Sequence, residues 1–253
     1  NYPNLTALFE HLNVETFETD MSFGFSLGGG PEWSSNGARG LFADPRNAFR
    51  PGFIRMLLDI VRFNREAIED LEAGRLTGLS LGGYLEQGGY SDRFRDTYLL
   101  PMGAAIWSST ESEMTAYPAE AFVRFFKNHK LVKFSGRPKW RTVLGGSQNY
   151  VSKLAAEMTQ AGVAFPGAAA KVRREADVVH VTGADGIERS YDEVILACHS
   201  DEALALLEDA DEQEEQFLFA VPYAPNIAVL HRDPSLLPER EHARAAWCYV
   251  RDA

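Results

Sequence analysis

Hydrophobic and polar residues repeat with two periods along this chain, and the changes from one to the other lay out its elements. At residues 21–27, Met21, Phe23, Phe25 and Leu27 alternate with Ser22, Gly24 and Ser26, the two-residue period of a strand. Gly28-Gly29-Gly30-Pro31 follows. With no helix starting there, it reads as a hairpin connection into residues 32–35 rather than a phosphate cradle. A strand is also predicted over 14–18, and a helix over 3–12 with Leu5, Leu8, Phe9 and Leu12 on one face.

The longest predicted helix covers residues 51–73, with Pro51 near its start and Gly74 past its end. Its apolar residues (Phe53, Ile54, Met56, Leu57, Leu58, Ile60, Val61, Phe63) occupy more than one face. Interruption by Arg55, Asp59 and Arg62 favours a soluble helix packed on two sides. The other reading is a helix that lines an apolar substrate tunnel or touches a membrane surface. Shorter helices are predicted at 80–87, with Ser80 as cap and Gly88-Gly89 as stop, at 91–99, and at 118–128. Residues 100–107 are small, apolar and aromatic together, which suits a segment threaded through a crowded interior. His129 stands where a helix C-terminus uses such a residue for its dipole and last carbonyls.

In the second half, Thr142, Val143 and Leu144 form a short strand-like run ahead of Gly145-Gly146. Ser147 stands at an N-cap position, and Tyr150, Val151, Leu154, Ala155 and Met158 recur at helical spacing. The glycines permit a sharp turn, and the helix start offers unpaired N–H groups to an anion. Strands are predicted at 169–174, 178–182 and 187–191, the last two joined at Asp185-Gly186. Residues 193–197 read as a buried strand, 198–200 as a turn, and 201–208 and 212–220 as helices. A strand over 226–231 is expected to pair with 245–251, with Pro234 and Pro238 in the loop between.

Gly-Gly-Ser ahead of an amphipathic helix, then a β-meander, then Tyr-Asp-Glu-Val-Ile-Leu-Ala-Cys-His resembles the amine oxidase and desaturase superfamily of FAD enzymes. The stretches NYPNLTALFEHLNVET, PMGAAIWSS, WRTVLGGSQNYV and VPYAPNIAVLHRD are similar to bacterial amine-oxidase-like NAD/FAD-binding proteins. The resemblance spans nearly the whole chain and rests on the order of these phrases. It implies a mixed α/β fold: part of a Rossmann-like FAD-binding domain with a β-meander, plus a substrate domain of sheet and helices. The implied layout is 1–19 leading out of the FAD domain, 20–136 and 209–253 in the substrate domain, and 137–208 in the FAD domain. The boundary is expected at 134–139, where Gly136 and Pro138 make the composition loop-like.

The implied cofactor is FAD, with Gly145, Gly146, Ala169, Ala197 and Cys198 as candidate contacts, those at Ala169 and Ala197-Cys198 through backbone. Met102, Trp107 and Tyr223 are the candidate substrate-pocket residues. The implied reaction is hydride transfer from an apolar amine or an unsaturated, lipid-like substrate. Such enzymes seat the FAD pyrophosphate on a Gly-x-Gly-x-x-Gly turn. This sequence has none, so it is expected to be an internal piece of a longer flavoenzyme. The competing class is a non-catalytic fragment or degenerate relative serving as a scaffold or binding module.

Composition narrows the field. A net charge of −11 argues against nucleic acid as partner. The acidic run at 208–215 reads as a solvated helix face. Two cysteines, Cys198 and Cys248, form no metal or disulfide pattern, which makes a reducing cytoplasm the default compartment. Neither Gly-x-Ser-x-Gly, His-Glu-x-x-His nor a P-loop occurs, which weakens a hydrolase reading. The 16 Phe, 9 Tyr and 4 Trp suit an apolar pocket and an ordinary core equally well.

Overall fold

The computed structural model describes residues 2–132 and 139–251. It divides into two compact units, residues 1–152 with 230–253, and residues 153–229. The interdomain loop expected around Gly136 and Pro138 falls almost wholly outside the described residues.

The first unit begins with α1 (Pro3–His11), β1 (Thr16–Thr19) and a hairpin of β2 (Phe23–Leu27) and β3 (Glu32–Ser34). A helical array follows: α2 (Gly37–Leu41), a 3-10 turn (Pro45–Phe49), α3 (Pro51–Glu72), α4 (Leu81–Gln87) and α5 (Asp92–Phe94). A π-type turn (Arg95–Leu99) then leads into α6 (Leu100–Trp107), α7 (Glu111–Ala116) and α8 (Ala119–Asn128). β4 (Trp140–Val143) and α9 (Gln148–Gln160) come next, and the boundary between the units lies inside α9. The second unit holds the antiparallel meander β5 (Ala169–Glu175), β6 (Val178–Gly183) and β7 (Glu188–Tyr191), then α10 (Ser200–Leu206) and α11 (Glu212–Phe219). The chain returns to the first unit with β8 (Trp247–Arg251).

The core of the first unit forms where α3 turns Phe53, Met56, Ile60, Phe63 and Ala67 inward, against Phe122, Val123 and Phe126 of α8 and Leu81 and Leu85 of α4. Each such large apolar side chain contributes about 1.5–3 kcal/mol on burial. The hairpin adds Phe25 and Trp33 to this core, and Trp33 lies beside Tyr98 with ring centroids 5.8 Å apart.

The alternation in β2 proves to separate two covered faces. Ser22, Gly24 and Ser26 are buried by the segment that precedes β8. A Cβ on Gly24 would run into the Ala243 carbonyl oxygen. Ser26 donates to Glu32 (2.8 Å), whose carboxylate also accepts from the backbone N–H groups of Glu239 and Arg240 and from the Arg240 guanidinium. Burial pushes the Glu32 pKa up, but these donors outweigh it and hold the carboxyl below its ordinary value. Small residues are needed here because backbone packs against backbone.

Several expectations are corrected. β8 pairs in parallel with β2, giving the order β3-β2-β8, and does not pair with residues 226–231. Those residues form no strand, and Ile227, Val229 and Leu230 lie open to solvent. Residues 193–197 likewise form no strand, and Ile195 is 90% exposed. Both runs are apolar enough for a sheet, but the described residues supply no neighbouring strand for them. β4 pairs antiparallel with β1. Residues 100–107 are a regular helix, and the break before it is the π turn.

In the second unit, little is buried beyond Val172 and Ala203. Arg174 of β5 links the meander to the helices, donating to the carboxylates of Asp209 (3.1 Å) and Glu214 (2.6 and 2.8 Å) and to the Asp209 carbonyl. Among the described residues, no helix is long and apolar enough to cross a membrane.

Candidate functional site

A cavity of about 890 Å³ opens in the first unit between α1, the 13–15 loop and the β1–β4 ribbon. Each wall follows from the sequence. The amphipathic α1 presents Leu5 and Phe9, and β4 supplies Trp140 and Val143. Val14 completes the apolar lining, and Glu10, Glu15, Lys139 and Arg141 add charge. Phe9 is anchored by Tyr150, with centroids 5.2 Å apart.

The cations of the cavity already have partners. Lys139 Nζ lies 3.0 Å from the Glu18 carboxylate, and Arg141 donates to the Thr16 hydroxyl (2.9 Å) and carbonyl (2.6 Å). The ribbon is extended by one more bond where the Leu144 N–H donates to the Glu15 carbonyl (3.0 Å). The described side chains offer an apolar and aromatic surface, with no nucleophile paired to a base. Such a surface can hold a planar or aliphatic group away from water.

Gly145 and Gly146 lie directly beyond this bond, with φ of 76° and 88°, and join β4 to α9. A Cβ on Gly145 would meet Asn149 Nδ2 at 2.6 Å, displacing the amide that donates to the Leu144 carbonyl. A side chain at Gly146 would have open space, so only its backbone conformation demands glycine. A side chain therefore clashes at Gly145, whereas backbone strain alone applies at Gly146. Gly146→Val is expected to cost about 1–3 kcal/mol, read as a lower urea midpoint. A change within roughly ±0.5 kcal/mol, as at an unconstrained surface site, would show that the turn is not rigid.

Met102 and Trp107 lie on α6, half-buried against the helical core. Trp107 packs among Tyr117, Phe122 and Phe125, at 5.3, 5.5 and 4.6 Å between centroids, and neither residue lines the cavity. In the second unit, Ala169 begins β5 opposite Gly183, and Ala197 and the unbridged Cys198 are exposed just before α10. Tyr223 joins this turn: its ring stacks on His199 at 4.3 Å, and its hydroxyl accepts the Ser200 N–H at 3.1 Å. The structure thus groups Ala197 and Cys198 with Tyr223 through His199. The candidate residues are divided between the two units. Phe9, Trp140 and Arg141 were not singled out as pocket residues from sequence, although Trp140 and Arg141 open one of the phrases that carries the resemblance. His129 fits its expected role, with Nδ1 3.0 Å from the Phe125 carbonyl and its ring stacked on Phe125.

No family model matches the chain, and no curated protein matches it. Solved structures do. A wild-type putrescine oxidase bound to putrescine aligns with a TM-score of 0.62 at 16% identity, covering 86% of this chain and 49% of that one. The fold is amine-oxidase-like. A putrescine oxidase variant redesigned in cofactor binding, A394C, gives 0.59 at 17% identity over 86% of this chain and 49% of its own. A CLA-producing fatty acid isomerase from P. acnes gives 0.57 at 15%, covering 87% and 49%. The chain thus spans about half the length of each of these three chains.

FAD requires a seat for its pyrophosphate as well as a surface for its ring. The cavity's cations are held by Glu18 and Thr16, and the Gly146 N–H is taken by the Val143 carbonyl at 3.1 Å. The described residues therefore fit a flat ring or an apolar substrate, but do not by themselves fit the whole dinucleotide.

Proposed function

We propose that this chain forms part of an FAD-dependent oxidoreductase that acts by hydride transfer on an apolar amine or an unsaturated, lipid-like substrate. The observation that carries this reading is the amine-oxidase-like fold, matched over 86% of the chain. The phrases that resemble the FAD superfamily support it independently of the fold. In this reading residues 1–19 lead out of the FAD domain, 137–208 belong to it, and 20–136 with 209–253 form the substrate domain. Gly145, Gly146, Ala169, Ala197 and Cys198 face the cofactor, and Met102, Trp107 and Tyr223 face the substrate. Leu5, Phe9 and Trp140 would contribute an apolar wall that keeps water from the reacting group. A small-molecule substrate and a reducing, cytoplasmic setting belong to the same reading.

A visible absorbance scan of the purified intact protein tests it. A flavin band that is released on denaturation is the expected result. A protein that melts cooperatively yet carries no flavin, and takes none up when FAD is added, would overturn it. That outcome would favour the competing scaffold or binding module.

A further inference from the structure

The outer face of α3 breaks the rule that the rest of the helix follows. Phe53, Met56, Ile60 and Phe63 turn inward, so the opposite side should be polar. Instead Ile54, Leu58 and Val61, spaced i, i+4 and i+7, lie on that opposite side at 38, 62 and 55% exposure. Phe49, in the turn just before the helix, is 88% exposed. Four large apolar side chains in one short stretch are more than the scattered exposure expected of a soluble surface.

Over residues 44–65 the exposed charge is positive and the negative charge is buried, and the next carboxylate, Glu66, lies 3.4 Å from Arg65. Between residues 44 and 65 the charged residues are Arg46, Arg50, Arg55, Arg62, Arg65, Asp44 and Asp59. Both aspartates are buried, with side chains 1% exposed, whereas the side chains of Arg46, Arg55 and Arg65 are 65, 54 and 70% exposed. Asp44 is held beneath Arg46 and Arg50 (both 2.9 Å), and Asp59 beneath Arg55 and Arg62. The ridge therefore shows solvent apolar side chains set among guanidinium groups, on a chain whose net charge is −11.

We propose that this arginine-flanked ridge, Phe49 with Ile54, Leu58 and Val61, docks the protein on an anionic lipid surface. Apolar side chains enter the boundary between headgroups and acyl chains, while the arginines meet lipid phosphates. A second protein copy would satisfy the apolar residues, but it would bring an equal set of arginines against the first. An anionic surface satisfies both features. The ridge lies on a helix that does not cross the bilayer, so the contact is peripheral. The inference stands apart from the flavin reading, because neither the ridge nor its test involves the cofactor.

The test is flotation of the intact protein with phosphatidylcholine vesicles and with phosphatidylcholine–phosphatidylglycerol vesicles. Binding to the anionic vesicles alone is expected, and it should weaken as salt is raised. Leu58→Glu and Val61→Glu should each lower binding about ten-fold or more by placing a carboxylate in the apolar face. Arg65→Gln should lower it about five-fold, the worth of one charge near such a surface. Unchanged circular dichroism melts would exclude misfolding of these exposed-site variants. The proposal is overturned if the parent protein does not float with anionic vesicles, or if properly folded Leu58→Glu floats equally well. It is also overturned if the protein is a dimer that Leu58→Glu dissociates and that ignores vesicles. Loss of vesicle binding in a protein that retains flavin would end this inference alone.

Discussion

Replacing Asp59 by alanine is expected to destabilise the first unit by about 3 kcal/mol, the lower end of the cost of breaking a buried ion pair. Its carboxylate lies inside α3 and accepts the Ser91 N–H (3.1 Å) and Arg55 Nε (3.2 Å), with Arg62 at 3.5 Å. Alanine would leave that N–H without its acceptor. It would also leave Arg62, 28% exposed, with Glu66 at 3.7 Å and the Tyr90 ring, over which its guanidinium lies at 4.0 Å. Arg55 is more exposed and can turn to water, which keeps the figure at the lower end. Chemical unfolding should show the loss as a lower midpoint with an unchanged slope. A loss below about 1 kcal/mol, within the range of an exposed pair, would mean that Asp59 is solvated in solution.

The same carboxylate predicts the direction of the pH response. Burial pushes its pKa up, but the Ser91 and Arg55 hydrogen bonds outweigh this and hold it below the ordinary value. Asp44 is lowered to about 2, chiefly by its hydrogen bond from Arg46. A depressed carboxylate stabilises the fold fully above its unfolded pKa, and that contribution disappears as pH falls through the folded value. Acid should therefore weaken the parent more steeply than Asp59→Asn below about pH 4.

Hydrogen exchange should divide the chain sharply. In the 253-residue chain at low concentration, amides of 193–198, 224 and 226–230 should exchange at least about a thousand-fold faster than those inside α3. Among the described residues these amides have no backbone partner, while α3 lies across the core. Val194, Ile195, Ile227, Val229 and Leu230 nevertheless have the composition of strands, and unpaired segments of this kind seek partners. Raising the protein concentration should slow their exchange as aggregates form. Slow exchange of both segments in dilute monomer would show that they are hydrogen-bonded within the chain.

These two segments also show where sequence legibility stopped. Apolar composition reports that a segment favours burial, but names no partner, so 193–197 and 226–231 read as strands that the structure does not pair. The hairpin of β2 and β3 was legible because its pairing is local and its turn lies in the sequence. The union of β2 with β8 was not, since no local pattern specifies a parallel neighbour from the far end of the chain. α3 was legible from Pro51 and Gly74, but it is packed on one side and not on two, because Ile54, Leu58 and Val61 are exposed. The π turn was hidden because 91–99 and 100–107 read as separate segments, with Pro101 near the join. Proline lacks an N–H and crowds the carbonyl four residues earlier, and a widened turn accommodates it without ending the helix.

The candidate site was legible at the level of backbone and not of side-chain grouping. Gly145 and Gly146 announced a turn, and both adopt positive φ. The resemblance implied a pocket role for Met102 and Trp107, but their apolar character suits equally the core they join. Tyr223 and His199 are too far apart in sequence for any periodicity to reveal their stacking.

The central position of β2 has a consequence for synthesis. Phe23 to Leu27 are made with β3 following at once, but the strand that completes the other side ends only at Arg251. At roughly 5–20 residues per second, tens of seconds pass before that strand exists. During that interval the face made by Ser22, Gly24 and Ser26 is open. Its small, polar side chains give that face little to hold a passing apolar segment while the later strand is still to be made.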